Sequence, residues 1–152
     1  MKILHTSDWH VGRSIRGRSR ADEHKAVLDE IIRIAASNEV DVVLVAGDLF
    51  DTGAPSPESE SIVFRALLDL ARIAPVVAVA GNHDNARRFT ALEPLLGLGR
   101  ISIRSGVRRP EEGGVIDVPG VDCRVAMVPW TSQRGIVKAD DLMSLDPDDH
   151  GL

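Results

Sequence analysis

Three apolar runs constrain the fold more than anything else in the chain: Ile3-Leu4-His5-Thr6, Val42-Val43-Leu44-Val45-Ala46 and Val76-Val77-Ala78-Val79-Ala80. Each leads straight into a polar cluster: Asp8-Trp9-His10, Gly47-Asp48-Leu49-Phe50-Asp51 and Gly81-Asn82-His83-Asp84. Largely β-branched, near-continuous apolar runs are what strands covered on both faces require. Each cluster therefore sits where a buried strand leaves its sheet. Asp8 and Asp48 are 40 positions apart and Asp48 and Asn82 are 34 apart, enough in each case for a strand, a helix and a parallel strand. Right-handed crossovers bring the three exits to one sheet edge, where open α/β sheets bind ligands. Gly47 and Gly81 precede the polar residues and suit a sharp turn or a backbone approach that a Cβ would obstruct.

The residue types in these clusters fit divalent metal ions. Aspartate, histidine and asparagine offer mixed oxygen and nitrogen donors, which suit manganese, iron or zinc better than the all-oxygen cage of calcium. A carboxylate can bridge two cations about 3.5–4 Å apart, and Asp48, on the middle cluster, is the natural bridge. Such a pair clamps a phosphoryl oxygen and acidifies a water, which is what hydrolysis of a stable phosphodiester needs. Taken singly, Asp8, Asp48 or Asn82 reads as a turn or helix-cap residue. Three clusters, each with its partners, point to metal binding.

The segments Met1 to Gly12, Val45 to Gly53 and Ala80 to Asp84 together resemble the calcineurin-like metallophosphoesterases, specifically the SbcD/Mre11-type nucleases, with bacterial SbcD the nearer group. The resemblance implies an α/β fold in which two sheets pack face to face and are flanked by helices. The chain is expected to end after the first sheet and the start of the second, as one N-terminal part (1–152) of a nuclease domain with no second domain. It implies that Asp8 and His10 hold one metal, Asp48 bridges and Asn82 holds the other, with two divalent ions, Mn2+ foremost. His83 is implied to assist the transition state and the leaving oxygen, since an imidazole exchanges a proton near neutral pH. Asp51 is implied to orient it. The family's three further histidines have no place in the chain. His150, the last histidine, follows a polar, proline-containing stretch and is not expected to be a ligand.

The activity implied is metal-dependent hydrolysis of DNA phosphodiesters by an exo/endonuclease subunit in repair and recombination. Its implied partners are an SbcC-type ATPase and a second nuclease subunit. Two other readings stay open: a metallophosphoesterase for a small nucleotide or phosphomonoester, and an inactive fragment or interaction module lacking the remaining histidines.

Composition bears on these readings. With 43% hydrophobic and 27% charged residues the chain is globular, and no apolar run approaches the roughly 20 residues of a membrane helix. No signal peptide is expected at the start, and Cys123 has no partner cysteine, so a cytoplasmic setting is expected. The net charge of −5 is unevenly spread: residues 1–109 hold 15 basic against 14 acidic residues, and 110–152 hold 3 against 9. Arg13, Arg16, Arg18 and Arg20 after the first cluster, and Arg87 and Arg88 after the third, are candidates for contacting a phosphate backbone, against a plain reading as solvated loop arginines.

Helices are expected over about Ala21–Ser37, Pro57–Ile73 and Ala91–Leu96, and again over Lys138–Leu145. Shorter strands are expected at Ile101–Arg104, Val115–Val118 and Arg124–Val128. Ser56-Pro57 reads as a cap followed by a first-turn proline. His5 is expected to be packed and hydrogen-bonded, His24 to be a partly exposed helix residue, and Trp9 to pack.

Overall fold

The computed structural model describes residues 1–132. The expected helix at Lys138–Leu145 and His150 lie outside the described residues. Four parallel strands form the central sheet in the spatial order β1 (Ile3–Thr6), β4 (Val42–Ala46), β5 (Val76–Val79) and β6 (Ile101–Arg104). Three helices connect them: α1 (Ala21–Asn38), α2 (Pro57–Ile73) and α3 (Ala86–Leu98). Each new strand is added on the same side of its predecessor, and right-handed crossovers then place every connecting helix on one sheet face.

That geometry explains how the apolar runs are buried. Val43, Val45, Val76, Ala78, Ile101 and Ile103 point to the helices and join Leu28, Val63, Leu67, Leu70, Phe89 and Leu96 in the main core. Val42 and Val77 point the other way and meet Val118 and Met127 in a smaller cluster. This second layer comes from a hairpin of β7 (Val115–Asp117) and β8 (Arg124–Ala126). Across it Arg124 donates to Asp117 at 2.7 Å, which holds the exposed carboxyl below its usual range. The hairpin leaves the edge strand β1 open on this face: Ile3 is 47% exposed, and His5, opposite Leu44 in register, is exposed rather than packed.

Local signals set the helix ends. Ser56 caps α2 by accepting from the Ser59 N–H at 3.2 Å, with Pro57 in the first turn. Helix α1 closes on Glu39, whose φ of 51° is left-handed. Helix α3 begins five residues before its expected start, because Asn85 caps it by accepting from the Arg88 N–H. Its polar first turn hides that start from an apolar pattern. A hairpin of β2 (Ser14–Ile15) and β3 (Arg18–Ser19) is not legible in the pattern either. Its two-residue loop, Arg16-Gly17, has positive φ at both positions, the backbone that matches strand twist in a tight hairpin. Among the described residues no helix is long and apolar enough to cross a membrane.

Candidate metal centre

The exits of β1 and β4 are laced together by backbone hydrogen bonds. Asp8 N–H donates to the Gly47 carbonyl at 3.1 Å, His10 N–H to Asp48 at 3.0 Å and Val11 N–H to Leu49 at 3.0 Å. Asp51 N–H returns the link by donating to Val11 at 3.1 Å. The exits of β4 and β5 meet at glycines. A Cβ on Gly47 would stand 2.7 Å from the Gly81 Cα, and one on Gly81 would overlap the Asp48 carboxylate and amide. We expect Gly81→Ala to destabilise the protein by about 1–3 kcal/mol in urea unfolding, as overpacked sites do. Gly97→Ala, in helix α3 with open space around it, should change stability by no more than about 1 kcal/mol and in the stabilising direction.

Asp84 is the tie between the second and third exits. Its carboxylate accepts from the backbone N–H groups of Gly81 at 2.9 Å, Phe50 at 3.1 Å and Leu49 at 3.3 Å. Sequence reasoning assigns it no role. The only local clue is its position three residues after Gly81, which gives a short polar side chain the reach to bond back to that amide.

Three of the implied ligands occupy left-handed backbone: φ is 57° at Asp8, 44° at His10 and 52° at Asp48. Such conformations in residues other than glycine are held by their surroundings and cluster at functional sites. The result is convergence. His10 Nε2 lies 3.6 Å from Asp8 Oδ1 and 3.9 Å from Asp48 Oδ2, with Asp48 only 14% exposed and Asp8 64% exposed. One donor atom from each of the three lies within 4.8 Å of the others, as around a single cation. Two carboxylates and an imidazole form the mixed donor set that divalent transition metals favour.

His10 also belongs to a second convergent set with Asp51 and His83. Its Nδ1 is buried, has no hydrogen-bond partner among the described residues, and lies 3.5 Å from Asp51 Oδ1. A buried Nδ1 facing a carboxylate suits an N–H handed to that carboxylate, which leaves the Nε2 lone pair for a metal. Bonding to His83 engages Asp51 through its main chain: His83 Nδ1 meets the Asp51 carbonyl at 2.8 Å. His83 N–H donates to Asp48 Oδ1 at 2.9 Å, and its ring stands edge-on to that of His10 with centroids 4.9 Å apart. His83 and Asn82 are exposed and line an open hollow of about 530 Å³ together with Thr52, Asn85 and Arg87.

The arginines divide into two groups. Arg20 is paired with Glu23 at 2.6 Å, and Arg88 is paired with Glu60. Arg13, Arg16, Arg18 and Arg87 are exposed and in no ion pair among the described residues. Trp9 is 8% exposed, and its indole N–H donates to Thr6 Oγ1 at 2.9 Å, a packing position.

The sequence profile of the calcineurin-like phosphoesterases matches residues 1–146. The chain is 43% identical to the SbcD subunit of the SbcCD nuclease of Bacillus subtilis (strain 168) over 97 residues, covering 62% of this chain and 25% of that protein. It is 43% identical over 99 residues to the SbcD subunit from Rhodobacter capsulatus, covering 63% of this chain and 24% of that protein. For the SbcD subunit of Escherichia coli (strain K12) the figures are 43% over 86 residues, 56% and 22%. The chain thus spans about a quarter of the length of the curated relatives it matches. With its parallel sheet, three strand-exit clusters and convergent Asp/His donors, the chain belongs to the calcineurin-like phosphoesterase family.

Proposed function

We propose that this chain is the metal-binding N-terminal part of a nuclease subunit that hydrolyses DNA phosphodiesters. The observation that carries the reading is the meeting of Asp8, His10 and Asp48 from two strand exits, with His83 delivered by a third. The 43% identity to SbcCD nuclease subunits supports DNA over a small nucleotide. In this reading Asp8 and His10 would hold one divalent ion, Asp48 would serve both, and Asn82 would serve the second; Mn2+ is the proposed metal. Bound cations there supply charge neutralisation at the phosphoryl group and acidify a water.

The chain's own residues do the rest. Asp51 Oδ1, 3.5 Å from His10 Nδ1, would take that N–H and leave Nε2 free to hold a divalent ion. The Asp51 carbonyl accepts from the His83 Nδ1–H, so the protonated ring would give its Nε2 proton to the leaving oxygen and return to the neutral form. Asp84 holds the Leu49, Phe50 and Gly81 amides and so fixes the two loops on which Asp48 and His83 stand. An SbcC-type ATPase and a second nuclease subunit are the proposed partners, in the cytoplasm and in DNA repair and recombination.

The unpaired arginines are assigned to the DNA backbone. Arg13, Arg16 and Arg18 stand on or beside the β2–β3 hairpin next to the Asp8 loop, and Arg87 lines the His83 hollow. Removing one phosphate contact lowers the slope of log affinity against log salt by about 0.9. Arg16→Ala and Arg18→Ala should each show that change in a binding titration on duplex DNA. Arg20→Ala and Arg88→Ala, whose guanidinium groups are engaged by Glu23 and Glu60, should leave the slope near that of the parent. Equal slopes for all four variants would remove the hairpin from the DNA path. The activity itself is tested by Mn2+-dependent cleavage of linear duplex DNA beside a bis-aryl phosphodiester, in a protein carrying the family's full ligand set. Cleavage of the aryl ester or of phosphomonoesters without cleavage of DNA would favour the small-substrate reading.

A further inference from the structure

A second hollow, of about 190 Å³, opens between the Asp8 loop and the start of α1, with Ser7, Asp8 and Trp9 on one side and Arg20, Glu23 and His24 on the other. Val11, Val27, Leu28 and Ile31 also line it, so the polar groups share the space with an apolar wall. His24 is only partly exposed, and its Nδ1 is buried with no hydrogen-bond partner among the described residues. A buried polar atom without a partner destabilises a fold, so a native fold normally supplies it with one. The hollow is roomy enough for water, and beside its apolar wall Ser7, Asp8, Arg20, Glu23 and His24 supply polar groups that water could bridge.

The loop across the hollow has a need of its own. Asp8 and His10 hold left-handed backbone, and the bonds that fix them run to the β4 exit, at Gly47 and Asp48. Trp9 is anchored to Thr6, and Ser7 Oγ donates to Asp8 Oδ2 at 2.5 Å. Among the described residues no α1 side chain bonds this loop directly. The ligand-bearing loop and His24, whose buried Nδ1 has no hydrogen-bond partner among the described residues, thus line the same hollow.

We propose that His24 is a positioning residue for the metal-ligand loop, holding Ser7 and Asp8 from the helix side through water in this hollow. The proposal rests on the reading of Asp8, His10 and Asp48 as a metal site. Burial, and then the Arg20 guanidinium beside it, push the His24 pKa down, against the smaller opposing influence of Glu23 and Asp51. A neutral ring has one donor and one acceptor nitrogen, the equipment needed to pass a hydrogen bond through water.

Outer partners of metal ligands typically contribute 10–100-fold to metal affinity, so His24→Leu should weaken Mn2+ binding by about tenfold while the metal-free protein keeps its thermal midpoint. His24→Asn, whose amide can stand where Nδ1 stood, should restore most of the lost affinity. Mn2+ titration of the 152-residue chain, read by calorimetry or by the electron spin resonance of free Mn2+, measures both. A high-resolution structure of the parent chain should show water within hydrogen-bond distance of His24 Nδ1 and of Ser7 or Asp8. A dry hollow overturns the proposal, as does parent-like affinity in His24→Leu. A packing role gives the reverse order, with Leu tolerated and Asn weakening affinity and midpoint together. Asp48→Ala separates the two levels. If it abolishes Mn2+ binding while His24→Leu binds normally, only the His24 role fails; if it leaves Mn2+ binding intact, the metal reading fails and the His24 role falls with it.

Discussion

Asp48→Ala is expected to abolish binding of a metal pair, because its carboxylate faces His10 through Oδ2 and the β5 exit through Oδ1. A bridge lost is lost to both ions. Asn82→Ala should chiefly weaken the second ion and leave the first in place. Calorimetric titration with Mn2+ distinguishes the two, in a protein carrying the family's full ligand set. Equal and small effects from both substitutions would count against Asp48 as the bridge. Asp48→Ala carries a further consequence, since the His83 N–H loses its acceptor, so the third exit should loosen as well.

His83→Ala, in the same protein, should lower kcat by about 10²–10⁴, the usual contribution of a general acid–base group, with Mn2+ affinity nearly unchanged. Its ring converges with His10 and Asp51 and not with Asp8 and Asp48, and its Nδ1 is taken by the Asp51 carbonyl. Loss of metal together with loss of activity would refute the role. Asp51→Asn gives a contrasting pattern. The His83 contact uses the Asp51 main-chain carbonyl and survives the change, whereas the carboxylate beside His10 Nδ1 is weakened as an acceptor. Its effect should therefore appear in metal affinity, at about tenfold, more than in kcat at saturating metal.

Much of this arrangement can be read from the chain because a buried parallel strand needs continuous apolar residues, and the polar clusters stand out at the ends of those runs. Val42–Ala46 and Val76–Val79 are such strands, and Gly47 and Gly81 meet where a Cβ would collide. Features that depend on long-range pairing leave weaker traces. Asp84 satisfies amides 34 and 35 positions away, a link that no local pattern encodes. The β2–β3 hairpin has exposed strands of two residues each, which give no burial signal. The family resemblance sets Asp51 beside His83, but only the fold shows that the Asp51 carbonyl makes the bond. His5 reads as packed because it lies in a core-strand run; β1 is the sheet edge, and the hairpin that covers the second face stops short of it. The start of α3 escapes an apolar pattern because its cap and first turn are polar.

In the proposed metal site, Asp8, His10 and Asp48 at the strand exits hold a divalent cation. Those three and Asn82 offer two ions about five protein bonds with Asp48 counted twice, whereas a catalytic ion normally keeps at least three of its own. The site of Asp8, His10 and Asp48 is the better supplied. Anomalous diffraction from crystals of residues 1–152 equilibrated with Mn2+ tests this most directly. One manganese peak is expected within bonding distance of Asp8, His10 and Asp48, at partial occupancy and absent in Asp48→Ala. No peak at these residues, or two fully occupied ions held by these residues and water alone, would contradict it.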